Sequence, residues 1–180
     1  MKKIFLTGSS GLLGKSLYNL LKTKYRITRI TNNIKSKKNR KLNYINFNSS
    51  DAIKNFINKK GIPDYFIHAG WGDMTIPNST YHVKENVSNS KNLVTEFYKS
   101  GLKKFLFIGT INEYGNSQGC VKESSNPRGK LRRYEKGKIL FGKIGKKISK
   151  KYNKIFIHIR LANLYGPIKR ENSLIYSIHS

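Results

Sequence analysis

The fold of this chain is decided by TGSSGLLG, residues Thr7-Gly8-Ser9-Ser10-Gly11-Leu12-Leu13-Gly14. This stretch follows the apolar run Ile4-Phe5-Leu6, which predicts a short buried strand, and it leads into leucines at helical spacing. A glycine-rich turn between a strand and a helix can hold a pyrophosphate, because the backbone approaches the phosphates closely and the helix N-terminus offers free N–H groups. The alternative is an ordinary strand-to-helix turn that uses glycine for its φ angles. We predict a nucleotide site with cofactor contacts from Gly8, Ser10, Gly11, Leu12, Leu13 and Gly14.

The composition predicts one globular domain over residues 1–180. The chain is 37% hydrophobic and 12% aromatic, which suffices for a core. No apolar run approaches the ~20 residues that span a bilayer, and Ile4-Phe5-Leu6 is too short for a signal-peptide core. We therefore expect a cytoplasmic protein without a membrane partner. Cys120 is the only cysteine, so we expect no intramolecular disulfide and no metal site.

A formal net charge of +27 raises the hypothesis of a polyanion partner. The lysines are scattered through every segment, and no helix-turn-helix or zinc-finger pattern accompanies them. We expect weak, salt-sensitive adhesion to nucleic acid and no specific nucleic-acid partner.

Apolar runs and helical patterns alternate along the chain. The runs after the first strand predict further strands at Tyr25 to Thr31, Tyr44 to Phe47, Asp64 to Gly70, Leu102 to Gly109 and Ile155 to Ile159. Helical patterns occupy the intervals, with Asp51 as the expected N-cap of one helix and further helices at Tyr81 to Ser100 and Tyr134 to Tyr152. This alternation predicts an α/β fold, a Rossmann-type doubly wound parallel sheet with helices on both faces.

The turn after the second strand bears on the choice between NAD and NADP. An acidic residue there binds the ribose 2′-hydroxyl of NAD, and basic residues favour the 2′-phosphate of NADP. Asn32 occupies this turn, Lys35, Lys37 and Lys38 follow, and no carboxylate occurs before Asp51. The cofactor is therefore NADP or NAD, with a preference for NADP unless these lysines only belong to the general basic surface.

Further motifs follow the glycine turn in a fixed order. The chain carries His68-Ala69-Gly70, then Thr110-Ile111-Asn112-Glu113-Tyr114-Gly115, then Tyr134-Glu135-Lys136-Gly137-Lys138, and then Arg160-Leu161-Ala162-Asn163-Leu164-Tyr165-Gly166-Pro167. In this order the motifs resemble those of the extended short-chain dehydrogenase/reductases, the NAD-dependent epimerase/dehydratase family. The resemblance covers nearly the whole chain.

The resemblance implies a catalytic site of Thr110, Tyr134 and Lys138. Residues four apart share one helix face, so Tyr134 and Lys138 are expected side by side. A tyrosine has a pKa of about 10, and a nearby cation lowers it. Tyr134 then exchanges a proton with the substrate while the cofactor exchanges a hydride. The resemblance also gives Lys138 a contact to the nicotinamide ribose, and it gives Thr110 the substrate oxygen.

The remaining expected contacts come from smaller segments. Cofactor contacts are expected from Asn32, Lys35, Asn46, Ala69, Gly70 and Asn86, together with Tyr134 and Lys138. Substrate contacts are expected from Asn112 and Asn163. His68 is expected to be structural, since it lies on a strand without an evident partner. The stretch from Trp71 to Thr80 departs from the family's usual sequence and receives no role.

The parent activity resembles a nucleotide-sugar 4-ketoreductase or 4-epimerase. Family members that dehydrate carry an Asp-Glu pair after the catalytic threonine, and Ile111-Asn112 stand there instead. Family members also continue past the Tyr-Gly-Pro segment, so we expect the C-terminal substrate domain to be largely absent. The rival hypothesis is a non-catalytic nucleotide-binding remnant or a redox-responsive interaction module. Expected partners are a nucleotide-sugar substrate and, as one option, a second copy in a homodimer.

Overall fold

The structure, a computed structural model, describes residues 1–36, 38–162 and 164. Its described strands are β1 (Lys3–Thr7), β2 (Arg26–Thr31), β3 (Asn43–Tyr44), β4 (Tyr65–His68), β5 (Lys104–Thr110) and β6 (Ile155–Leu161). They form one parallel sheet in the order β3-β2-β1-β4-β5-β6. This confirms the predicted Rossmann-type α/β fold. Lys37 and Asn163 lie outside the described residues, as does the segment after 164.

Four α-helices cover the two faces of the described sheet. They are α1 (Leu12–Leu21), α2 (Ser50–Lys60), α3 (Glu85–Lys99) and α4 (Arg133–Lys151). Phe5 on β1 belongs to the large core under α2, α3 and α4, whereas Ile4 and Leu6 belong to a smaller core under α1. Alternate residues of a strand point to opposite faces, so one short apolar strand supplies both cores.

The third strand is shorter than predicted. The sequence predicted a strand from Tyr44 to Phe47, but β3 ends at Tyr44. The Asn46 amide oxygen accepts the N–H of Asn48 at 3.1 Å, which turns the chain away from the sheet edge. Ile45 and Phe47 are still buried in the core. Their apolar character predicted burial correctly and pairing wrongly.

The start of α2 also differs from the prediction. Ser49, and not Asp51, is the N-cap, and its hydroxyl accepts the N–H of Ala52 at 3.2 Å. Asp51 lies within the first turn and pairs with Lys54 at 3.6 Å. A carboxylate in the first turn still suits the positive end of the helix dipole.

The strands after β1 extend the sheet first on one side, through β2 and β3, and then on the other, from β4 onward. The strand order therefore reverses between β1 and β4. In doubly wound sheets, ligands bind at such a switch point, outside the carboxyl ends of the strands. The residues that follow β1 and β4 are the glycine turn and Ala69-Gly70, so both segments lie at this edge. None of the helices within the described residues combines the length and apolar character needed to cross a membrane.

Candidate active site

The three glycines of the turn differ in how much space a side chain would have. Gly8 has φ +71°, and a Cβ there would lie 2.6 Å from the carbonyl carbon of Ala69. A Cβ on Gly14 would lie 2.1 Å from the carbonyl oxygen of Gly8. A Cβ on Gly11 would meet its nearest atom, the same oxygen, at 3.5 Å, which is ordinary contact. Gly8 therefore makes the tight turn, Gly14 allows α1 to pack closely against it, and Gly11 leaves space beside the backbone.

The N-terminus of α1 is open to a ligand. Its N-cap is Gly11, which offers no side-chain hydrogen bond, and its first turn carries no acidic residue. The first N–H groups of a helix have no partner within the helix, and their partial positive charge favours an anion. Ser10 is exposed beside this end, Leu12 is buried and Leu13 is half-buried.

A cavity of about 590 Å³ opens at the switch point of the sheet. Its wall combines the ends of β1, β2 and β4 with one side of α3, and includes Thr7, Gly8, Thr31, Asn32, Phe47, His68, Gly70, Trp71, Gly72, Asn86, Asn89 and Ser90. The volume lies in the range of small-molecule and cofactor sites. Asn89 is buried with its amide oxygen unpartnered among the described residues, so the wall also offers an acceptor. These features fit a dinucleotide.

Only some of the other predicted cofactor residues line this cavity. Asn32 and Gly70 line it, and the Asn32 amide oxygen accepts the N–H of Phe47 at 3.0 Å. Lys35 is exposed in a short 3₁₀ helix, Ile34–Ser36, beyond the cavity wall. Asn46 lies in the turn after β3. Ala69 lies against Gly8.

Asn86 on α3 fixes the backbone that follows β4. Its amide oxygen accepts the N–H of Gly72 at 2.9 Å, and its amide nitrogen donates to the carbonyl of Gly72 at 3.0 Å. This two-point contact holds the cavity wall at Gly72. Asn86 therefore positions the backbone of the cavity wall.

His68 has two partners, which the sequence did not indicate. The Ser90 hydroxyl donates to the carbonyl of Asn86 and therefore accepts from His68 Nε2 at 2.9 Å. Burial followed by the charge of Lys138 lowers the His68 pKa to about 3, so the ring is neutral. His68 Nδ1 then accepts from the Thr7 hydroxyl at 2.8 Å, and this hydroxyl also accepts the N–H of Gly70 at 3.0 Å. His68 joins β1, β4 and α3 under the cavity, as a structural residue does.

The structure brings Thr110, Tyr134 and Lys138 together. Thr110 ends β5, and Tyr134 and Lys138 lie one turn apart at the start of α4. The Thr110 hydroxyl lies close enough to Tyr134 to lower its pKa, and the Lys138 Nζ lies 5.8 Å from the centre of the Tyr134 ring. Lys138 is buried, and its Nζ donates to the carbonyl of Ile108 at 2.7 Å.

The protonation of this cluster differs from the expectation that Lys138 lowers the pKa of Tyr134. Burial raises the Tyr134 pKa, the charges of Glu113 and Glu135 raise it further, and the hydrogen bond from Thr110 opposes them. Burial also lowers the pKa of Lys138 to about 7, against a smaller opposing effect of Glu113. Burial therefore makes the Lys138 ammonium lose its proton more readily than an exposed lysine does, and Tyr134 is a neutral phenol in the resting protein.

Glu113 belongs to this cluster, although no role was predicted for it from the sequence. Its carboxylate is buried and accepts the N–H of Thr110 at 2.9 Å, His158 Nε2 at 3.1 Å and Arg160 Nε at 3.1 Å. Burial alone would raise its pKa, but hydrogen bonds from His158, Thr110 and Arg160 and the charge of His158 outweigh it and lower the pKa. The sequence contains a signal for this contact, because Thr110 and Glu113 have the Thr-x-x-Glu spacing of a capping box and form one at the end of β5.

The predicted substrate residues are only partly described. Asn112 is exposed in the short 3₁₀ helix after β5, and its N–H donates to the Thr110 hydroxyl at 3.3 Å. Asn163 lies outside the described residues. Across the described part of the chain, no three His, Cys, Asp or Glu side chains group as metal ligands would.

Comparison with known proteins adds a family assignment. The model of the NAD dependent epimerase/dehydratase family matches residues 4–178. The chain belongs to this family. Its NAD-dependent epimerase/dehydratase fold agrees with the strand order and with the glycine turn described above. No curated protein matches the chain by sequence.

Solved structures share the epimerase/dehydratase fold at low identity. UDP-N-acetylglucosamine 4-epimerase from Bacillus cereus has a TM-score of 0.80 and 21% identity over 98% of this chain and 66% of its own. UDP-glucuronic acid 4-epimerase from Bacillus cereus, solved with UDP-glucuronic acid and NAD, has a TM-score of 0.72 and 23% identity, covering 97% of this chain and 60% of its own. UDP-N-acetylglucosamine 4-epimerase from Methanobrevibacter ruminantium, solved with UDP-N-acetylmuramic acid, has a TM-score of 0.78 and 21% identity, covering 96% and 58%. The chain thus spans less than two thirds of the length of these neighbours.

Proposed function

We propose that this protein is an NAD(P)-dependent nucleotide-sugar oxidoreductase or epimerase of the 4-ketoreductase or 4-epimerase type. One observation carries the proposal: Thr110, Tyr134 and Lys138 meet at the same sheet edge as the glycine turn and the dinucleotide-sized cavity. The family assignment and the UDP-sugar epimerases among its structural neighbours support it.

The proposed chemistry uses Tyr134 as the acid/base group. A bound nicotinamide ring supplies the hydride acceptor and donor. Tyr134 keeps its proton at rest, because burial raises its pKa, and it can donate that proton to a sugar oxygen. The Thr110 hydroxyl favours the phenolate when the proton moves in the other direction. With a cofactor bound, Tyr134 would serve reduction by donating its proton, and epimerisation by first accepting a proton and then returning one.

Lys138 and the glycine turn would hold the cofactor. The residues proposed for the pyrophosphate are Gly8, Ser10, Gly11, Leu12, Leu13 and Gly14, at the open N-terminus of α1. Lys138 is proposed to contact the nicotinamide ribose, with Gly70 and Asn86 shaping the wall beside it. Asn112 and Asn163 remain proposed substrate contacts.

The absence of the Asp-Glu pair after Thr110 argues against dehydration, and Glu113 is poorly placed to replace it. Its carboxylate is already bound to Thr110, His158 and Arg160, and these bonds lower its pKa. A carboxylate held in this way stays ionised at neutral pH and has no proton to donate. Reduction or epimerisation is therefore favoured over dehydration.

Different observations support NAD and NADP as the cofactor. The family's name and the NAD complexes among its neighbours support NAD. The absence of a carboxylate after β2 and the exposed Lys35 support the preference for NADP that the sequence predicts. A cytoplasmic location and a homodimer also remain predictions from the sequence.

The test uses Tyr134→Phe in the protein expressed from its full reading frame. The substitution removes the proton donor and keeps the ring, so turnover of UDP-linked sugars should fall by roughly 10²–10⁴ while cofactor affinity stays unchanged. The readouts are cofactor absorbance during turnover and calorimetric titration of the cofactor. Full activity of Tyr134→Phe would refute the catalytic role. A wild type that binds cofactor but changes no nucleotide sugar would favour the non-catalytic remnant.

A further inference from the structure

The segment from Trp71 to Thr80, for which no role was predicted, contacts the first turn of α4. The N–H of Tyr134 donates to the carbonyl of Pro77 at 2.9 Å. Where α4 passes the end of this loop, a Cβ on Gly137 would lie 2.4 Å from the carbonyl oxygen of His82. The backbone of Tyr134 and the path of α4 are therefore set by the loop that begins at Trp71.

Trp71 itself contacts Lys138. The Lys138 Nζ lies 4.3 Å from the centre of the Trp71 ring and 4.9 Å from the centre of the Phe107 ring. Tryptophan offers the strongest cation–π face among the aromatic residues, and the contact strengthens when the ammonium is desolvated. Lys138 is buried, and its Nζ has the carbonyl of Ile108 as a hydrogen-bond acceptor. The indole face therefore compensates part of the hydration that the ammonium has lost.

The other edge of Trp71 reaches Tyr134 through His82. The indole Nε1 donates to His82 Nδ1 at 3.1 Å, so His82 Nε2 carries the ring proton and donates to the carbonyl of Ile76 at 3.0 Å. His82 is fully buried, and its ring packs edge-on against Tyr134 with ring centres 5.3 Å apart. Both contacts fix the His82 ring, and the ring limits where the phenol can lie.

We propose that Trp71 is a positioning residue for the catalytic pair: its ring face holds the Lys138 ammonium, and its N–H, through His82, holds the Tyr134 ring. This role rests on the proposed function. Trp71 also lines the cofactor cavity, so the same indole connects cofactor binding to the arrangement of the pair. A residue that only filled space would not need the indole N–H.

The test compares Trp71→Leu with Trp71→Phe. Trp71→Leu removes the ring and the N–H, and should weaken cofactor binding and lower kcat by roughly 10-fold each, the scale of a desolvated cation–π contact. Trp71→Phe keeps a ring face and loses the N–H, so kcat should fall while the cofactor Kd changes less. Met74→Leu, in the same loop and exposed, is the matched control and should change neither quantity.

A double-variant cycle separates positioning from general packing. If the Trp71 ring acts through Lys138, Trp71→Leu should raise the cofactor Kd in the wild type and add almost nothing in a Lys138→Met background. Fully additive losses, or a folded Trp71→Leu whose Kd and kcat both match the wild type, would overturn the proposal. If Trp71→Leu does not fold, an unchanged kcat in Trp71→Phe would overturn it instead.

Fluorescence tests the contact without turnover. Trp71 is the only tryptophan, so its emission reports on this site alone. Lys138→Met should shift that emission, and Lys136→Met, an exposed lysine on the same helix, should not. An emission shift in Lys138→Met, in a protein that turns over no sugar, would support the Trp71–Lys138 contact and reject the proposed function. Equal emission in Lys138→Met and Lys136→Met would reject the contact.

Discussion

The glycine turn and the cluster of Thr110, Tyr134 and Lys138 lie at the same edge of the sheet, but they are held in different ways. The glycine turn is shaped by its own backbone, with Gly14 packed against Gly8 six residues earlier. The cluster is assembled from β5, α4, the loop after β4 and the end of β6. A local motif keeps its geometry when distant segments change, while an assembled site depends on each of its supports.

The largest expected effect comes from adding one carbon inside the glycine turn. Gly14→Ala places a Cβ 2.1 Å from the carbonyl oxygen of Gly8, a backbone atom that cannot move aside as a flexible side chain could. We therefore expect the variant to lose about 3 kcal/mol of stability and to lose cofactor binding. Gly11→Ala is the matched control, because Gly11 has φ −77° and its Cβ would meet only ordinary contact.

Thermal unfolding and cofactor titration of both variants check this contrast. Gly11→Ala should keep the wild-type melting temperature and still lose cofactor affinity, since its Cβ enters the space left for the phosphates. Equal stability of the two variants would mean that the turn is not shaped by close backbone packing.

An intermediate effect is expected at a support of the cluster. Glu113→Gln removes the negative charge that accepts bonds from Thr110, His158 and Arg160, and should cost about 1–3 kcal/mol. Glu123→Gln, an exposed carboxylate in the following loop, is the control. Turnover of Glu113→Gln should fall while its cofactor Kd stays near the wild type. A fall in turnover together with a rise in the cofactor Kd would mean that the two regions act as one unit.

A pH-dependent effect concerns Lys138. Its pKa is lowered by burial from 10.5 to about 7, so between these values the unfolded chain binds a proton that the folded chain lacks. Stability from this group is therefore greatest above pH 10.5 and is lost as pH falls toward 7, by up to about 1.4 kcal/mol per pH unit. Lys138→Met should remove this slope in denaturant unfolding from pH 7 to pH 10, and Lys136→Met should keep it. Identical slopes in the two variants would mean that Lys138 is hydrated in the folded protein.

These regions were not equally predictable from the sequence. The glycine turn and the alternation of strands and helices follow from local spacing, because turn geometry and apolar periodicity are local properties. The pairing of Tyr134 with Lys138 also follows from helix spacing. Their protonation did not, since the raised pKa of Tyr134 and the lowered pKa of Lys138 come from burial by distant segments. Trp71 and His82 contribute through contacts across the fold, which no local pattern encodes.

Isothermal titration of the purified protein with NAD and with NADP tests the central claim most directly. The account predicts that the wild type binds a dinucleotide, that Tyr134→Phe binds it with unchanged affinity, and that Gly11→Val, whose Cβ meets only ordinary contact in the protein, does not bind it. A preference for NADP would sharpen the role of Lys35, and a clear preference for NAD would remove it. A folded wild type that binds neither cofactor would contradict the account.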